Sequence, residues 1–345
     1  MQHPTRFDSH FELARLPWFE VRDGRLRLRD PEVGPMIDVH THLALSFGTR
    51  AATVDLYREH PRTEHYLPVE RPLDLDVYIN RNFTVDDLGR AKRDLSIDSL
   101  RDRGMRRTHT APNLAREMAD LGVVSSVLLP IDFPFLSHNA ETWLAAAART
   151  PGLLSMGSVH PYTRDLRGQL ERQKAAGARG VKVHPAVQMI KPDARRPMEL
   201  YRHCGELGLP VLFHCGPVDI ETRLGRWLSQ VRHYVAAVRD NPGTTFVLGH
   251  SGALQMEQAL ELARTCDNVW LELASQSVSN IRTILASGPT DRVMSGSDWP
   301  FYHQATAMAK VLIATEGDPG LRRKVMWQNA ARLFGLEVDP SRRMS

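Results

Sequence analysis

The chain has 345 residues, 42% of them hydrophobic and 24% charged, with a formal net charge of +4. This balance is that of a soluble globular protein with a large core, and the length suits one α/β barrel carrying insertions. The positive charge is spread over many arginines, and no stretch is long and apolar enough to span a bilayer, so neither nucleic acid nor membrane is expected as a partner.

The Arg-rich run Arg90–Arg107 reads as solvated helix faces. Three cysteines, Cys204, Cys215 and Cys266, lack paired spacing. That favours a reducing compartment over a disulfide framework. The first residues lack the apolar run of a signal peptide, and a cytoplasmic location is expected.

Residues 1–35 form an N-terminal extension, with Asp23-Gly24 as a plausible hairpin turn. Met36–Val39 reads as a short buried strand that ends in His40-Thr41-His42. Side chains alternate along a strand, so His40 and His42 share a face and can reach one divalent ion. Residues 44–110 are polar, with scattered aromatics Phe47, Tyr57, Tyr66, Tyr78 and Phe83. They read as an insertion with short helices, placed after the first strand. Its aromatics are candidates for capping a pocket.

A regular rhythm follows. Leu114, Met118 and Leu121 give one helix an apolar face that stops at Gly122. Strands are then expected at Val123–Leu129, Leu153–His160, Gly180–His184, Pro210–His214, Thr245–His250, Val269–Leu273 and Arg292–Ser297. Helices are expected at His138–Thr150, Asp165–Ala176, Pro197–Leu207, Thr222–Arg239, Leu254–Cys266, Val278–Ser287, Gln304–Glu316 and Leu321–Leu336. Eight apolar strands in βα alternation predict a (β/α)8 TIM barrel over residues 1–345 as a single domain, with the long insertion after strand 1.

In such a barrel the site lies at the C-terminal strand ends. Those ends carry His40 and His42, His160, Lys182 and His184, His214, His250 and Asp298. A set of core histidines would account for one or two of these, not for all. Three neutral imidazoles and one carboxylate suit a divalent ion: zinc, with manganese or iron as alternatives. Cys215 reads as packing. Trp299 and Phe301 either line a pocket or seal the barrel. His303, Arg164 and Arg62 are further substrate-contact candidates, and Glu272 points either inward or into the barrel wall.

The motifs Asp38-Val39-His40-Thr41-His42, Leu212-Phe213-His214-Cys215-Gly216, Gly249-His250-Ser251-Gly252 and Gly296-Ser297-Asp298-Trp299-Pro300 resemble the amidohydrolase superfamily. Together with the ending Gln328–Gly335 they resemble its amidohydrolase-2 branch, which includes relatives of aminocarboxymuconate-semialdehyde decarboxylase. The resemblance implies His40, His42 and His214 as metal ligands. It implies Asp298 as ligand and proton acceptor from a metal-activated water, and His250 as an acid/base group or a further ligand. Lys182 would be a carboxylated bridge between two ions or, as the reading preferred here, an ammonium facing a substrate carboxylate or an aspartate. His184 and His160 would stand beside the ligands or contact substrate. One ion is expected over two. The implied reaction is hydrolysis of an amide, lactone or ester bond in a small molecule. The alternative is metal-dependent, non-oxidative decarboxylation, and a non-enzymatic metal-binding protein is a third reading. Homo-oligomerisation is left open.

Overall fold

The computed structural model describes residues 3–46, 48, 52–133 and 136–339. Among these, eight parallel strands follow one another around a barrel. They are β1 Met36–Thr41, β2 Val123–Leu128, β3 Leu153–Ser155, β4 Val181–Val183, β5 Val211–His214, β6 Phe246–Gly249, β7 Val269–Glu272 and β8 Val293–Met294. Strands β1 to β3 form one parallel run and β4 to β8 another. Two bridges join the runs, Gly157 with Val181 and Thr41 with Trp299. At the first seam, Lys182 N–H donates to Gly157 O at 2.8 Å; at the second, Asp298 N–H donates to His40 O at 2.8 Å. The ring is thereby continuous, as the βα alternation predicted.

Every residue of β1, β5, β6 and β7 is buried, because helices cover the outside and side chains fill the inside. Helix Ala111–Leu121 stops at Gly122, whose φ of 66° is left-handed and easily adopted by glycine. Several strands are shorter than expected. β3 ends at Ser155, five positions before His160, and β8 ends at Met294. The expected helix Thr222–Arg239 is broken into Arg223–Leu228, a 3-10 turn Val231–His233 and Tyr234–Arg239. The last helical region likewise divides, with a π turn at Lys324–Gln328. Among the described residues no helix is long and apolar enough to cross a membrane.

Outside the barrel, Phe19–Arg22 and Arg25–Leu28 pair as a hairpin turning at Asp23 and Gly24, with φ of 53° and 70°. Arg6–Phe7 pairs antiparallel with Leu73–Asp74, so extension and insertion share a ribbon. Within the insertion, helix Val85–Leu95 begins with a Thr84/Asp87 capping box, and short 3-10 turns cover Ile79–Asn82, Asp98–Leu100 and Met105–Thr108.

Arg106 departs from the solvated reading of its run, being buried. Its guanidinium donates to Leu45 O, Arg101 O at 2.9 Å and Thr53 Oγ1 at 2.8 Å, and its amide to Asp94 at 3.1 Å. It is the polar core of the insertion, where loop carbonyls have few other donors. Replacing it with Met strands those carbonyls, and Arg106→Met is expected to cost about 3 kcal/mol. Denaturant unfolding measures this, and a loss below about 0.5 kcal/mol would contradict the assignment.

Candidate metal centre

The site is built at the β1–β8 seam. Glu272, near the end of β7, points inward, and its Oε2 accepts from His40 Nδ1 at 2.8 Å and from the His250 amide at 3.0 Å. Its other oxygen accepts the Ala274 amide. The His40 ring is thus fixed with Nε2 toward Asp298 Oδ1, 3.6 Å away. His42 Nδ1 lies 2.9 Å from Leu129 O. A carbonyl only accepts, so the proton sits on Nδ1 and the lone pair on Nε2. That Nε2 is 3.3 Å from the same Asp298 oxygen.

His250 follows β6, its Nδ1 at 3.4 Å from Ala274 O, which leaves Nε2 free. Ligand atoms of His40, His250 and Asp298 lie within 4.8 Å of one another. The His214 ring is 4.8 Å from that of His250 and stacks on His184 at 4.0 Å. His184 Nδ1 accepts the Val187 amide at 3.3 Å, so its proton belongs on Nε2.

Lys182 Nζ is buried without a hydrogen-bond partner. These residues line one cavity of about 640 Å³, with apolar walls that include Ile131, Val187, Val218 and Phe301. Tyr78 and Lys92 of the insertion reach it as well.

Burial dominates the electrostatics. It holds His40, His184 and His214 well below the usual imidazole range and takes His250 down to about 4. Neutral rings are the form that ligates cations. The Lys182 amine is pushed down to about 8, and the Glu272 carboxyl up to about 8, both chiefly by loss of solvent. Imidazoles set around one carboxylate, with one nitrogen of His40, His42 and His250 turned to a hydrogen-bond partner and the other available, fit a divalent ion. His40, His250 and Asp298 form the mutual cluster, His42 meets the same Asp298 oxygen, and His214 stands one ring further. Two of these residues, His250 and Asp298, hold left-handed φ of 56° and 64°, which non-glycine residues keep only under constraint.

Other candidates sit elsewhere. His160 does not join the cluster: Nε2 meets Gln188 O at 3.0 Å and Nδ1 accepts the Tyr162 amide at 3.3 Å. With Arg164 it lines a neighbouring cavity of about 680 Å³. Arg62 and His303 line a third, of about 350 Å³. Trp299 is buried behind the site, whereas Phe301 faces the cavity. Cys215 is buried, and burial raises its thiol, as packing requires. Of the insertion aromatics, Tyr78 lines the cavity, Tyr66 packs behind Phe301 and Tyr57 lies under Arg149. Phe47 lies outside the described residues.

Two carboxylates had no role assigned from sequence. Asp38 accepts from the amides of Ser297 and His40, and from Gln304 Nε2 at 2.6 Å. Burial takes it up to about 6. Its place in the His40 motif was the signal for it. Glu117, on a helix face otherwise read only for apolar period, carried none.

A family model described as amidohydrolase matches residues 37–336. The chain belongs to the amidohydrolase family. Solved structures similar to this amidohydrolase include an uncharacterised TIM-barrel protein from Bordetella bronchiseptica, 18% identical, covering 87% of this chain and 98% of that one with a TM-score of 0.59. Another is a probable 2-pyrone-4,6-dicarboxylic acid hydrolase from Acinetobacter baumannii, 16% identical, 87% and 99% covered, TM-score 0.55. A third is 5-carboxyvanillate decarboxylase from Sphingomonas paucimobilis, 16% identical, 71% and 91% covered, TM-score 0.56. At these identities the likeness is one of fold, and the neighbours carry TIM barrels. No curated protein matches the sequence.

If Glu272 sets the His40 ring, Glu272→Gln should weaken metal binding about 10–100-fold while the protein stays folded. His40→Ala should leave almost none. Chelator competition with elemental analysis measures both, and parental affinity in folded Glu272→Gln would refute the orienting role.

Proposed function

We propose that this amidohydrolase is a metal-dependent hydrolase that cleaves an amide, lactone or ester bond of a small organic molecule. The observation that carries the reading is Asp298, the one carboxylate in contact with both His40 and His42, at the floor of a cavity sized for a small ring or chain. A divalent ion held there, zinc by the nitrogen-rich donor set, would supply Lewis acidity and would bring the pKa of a bound water to about 7. His40, His42 and Asp298 would hold it, one ion in all, with His214, the third ligand that the resemblance implies, approaching from beside His250, which itself lies within 4.8 Å of His40 and Asp298.

The chain's own residues then divide the work. Asp298 orients the attacking water and takes its proton. His250, neutral and with Nε2 free, is set to receive that proton and pass it toward the leaving group. Lys182 and the Nε2–H of His184 are donors for the oxygen on which charge develops. Phe301 and the aliphatic wall keep bulk water away.

A second reading, decarboxylation, is favoured by one observation. The buried, unpartnered Lys182 amine is suited to hold a substrate carboxylate. The decarboxylase among the similar structures keeps this reading open for the same fold. Release of carbon dioxide, as against uptake of water with a new acid group, separates the two.

Asp298→Asn keeps the shape and loses the base. Turnover of a metal-replete variant should fall about 10²–10⁴-fold with little change in substrate affinity. Kinetics paired with metal analysis test this; near-parental turnover would remove Asp298 as the base.

A further inference from the structure

Behind the cavity, a second buried carboxylate touches the segment that carries Asp298. Glu117 lies on helix Ala111–Leu121, on the far side of Trp299 from the metal centre, and does not line the cavity. Its Oε2 accepts Trp299 Nε1–H at 3.2 Å and His65 Nε2–H at 3.0 Å. Its Oε1 accepts the Gln304 amide at 2.7 Å, with His303 Nδ1 at 3.5 Å. Burial alone would raise Glu117, but His303, His65 and the Gln304 amide hold it down to about 2. It is an ionised carboxylate in the interior.

The contacts fall on both sides of a single turn. Trp299 follows Asp298 directly, and Gln304 opens the next helix. The insertion grips the same turn through its backbone: Tyr66 N–H donates to Pro300 O at 3.1 Å and Leu67 N–H to Phe301 O at 2.9 Å. His65, one residue earlier, carries the side chain that meets Glu117. The turn is thus pinned from behind by the helix and from above by the insertion. Asp38 pins it from the barrel side.

Pinning is what the backbone at Asp298 demands. Its φ of 64° is left-handed, and a non-glycine residue keeps it only when the surroundings over-determine it. From that conformation the carboxylate meets His42 and His40. A relaxed turn would move the carboxylate off the imidazoles.

We propose that Glu117 is a positioning residue for Asp298, and that the insertion segment 65–67 is the other half of the same clamp. The inference rests on the reading that Asp298 faces a cation. On this account the insertion is part of the scaffold of the metal centre as well as of the cavity wall.

The test compares full-length Glu117→Gln, Trp299→Phe, their double variant and Leu114→Ala. Leu114 is buried on the same helix and is absent from the clamp, so its truncation destabilises without loosening the turn. Zinc affinity is read by chelator competition, and the visible spectrum of the cobalt-substituted proteins reports ligand geometry. Glu117→Gln should bind zinc about 10–100-fold more weakly and change the cobalt spectrum, as loss of a supporting hydrogen bond does. Trp299→Phe should show part of that loss, and the double variant less than the sum. Leu114→Ala should match the parent in both. Parental affinity and spectrum in Glu117→Gln, or an equal loss in Leu114→Ala, would overturn the proposal. If Glu117→Gln does not fold, Trp299→Phe decides by the same criteria. A parent that binds no zinc or cobalt at all would instead fell the proposed function, and this inference with it.

Discussion

Asp298 must be held against two imidazoles that arrive on a different strand, with its own backbone in a conformation that only its surroundings can enforce. His40 and His42 end β1, and Asp298 follows β8, so their meeting depends on the seam where the barrel closes. There the Asp298 amide donates to the His40 carbonyl, and the His42 amide to Trp299 O. The same hydrogen bonds that shut the barrel therefore set the distances of 3.6 and 3.3 Å within the site. The seam that joins β1 to the segment after β8 is also where the side chains of the centre meet.

Around that seam, each ring is aimed by the partner on its far nitrogen. Glu272 takes His40, and the Leu129 and Ala274 carbonyls stand against His42 and His250. Burial holds the His40 and His250 imidazoles below their ordinary range, so the lone pairs they offer are available without a prior proton loss. Lys182 is the counterweight: a buried amine with no partner, among groups that would hold a cation. It costs free energy where it stands, as buried groups kept for function commonly do.

Much of this was legible because it follows from local rules. Strand alternation put His40 and His42 together, and apolar runs between helical patterns implied the barrel. What escaped was set by tertiary packing. His160 was read as a strand end, but β3 stops at Ser155 with one further bridge at Gly157, and the His160 ring goes to the Gln188 carbonyl instead of the cluster. Arg106 sits in a run that looks solvated, and the Leu45 carbonyl and Thr53 hydroxyl, far away in the chain, join the nearby Arg101 carbonyl in drawing it inside. Glu117 occupies a helix position whose burial depends on Trp299 and His65, far away in the chain. Glu272 could point either way until its hydrogen-bond donors were in place.

The central claim is that one divalent ion sits where Asp298 faces the imidazoles of β1. Anomalous diffraction at the zinc absorption edge, on crystals of the zinc-loaded protein, tests it most directly. The account predicts a single strong peak about 2.0–2.2 Å from Nε2 of His40 and His42 and from an Asp298 oxygen. A peak elsewhere, or a map without one in protein that retains stoichiometric zinc, would contradict it.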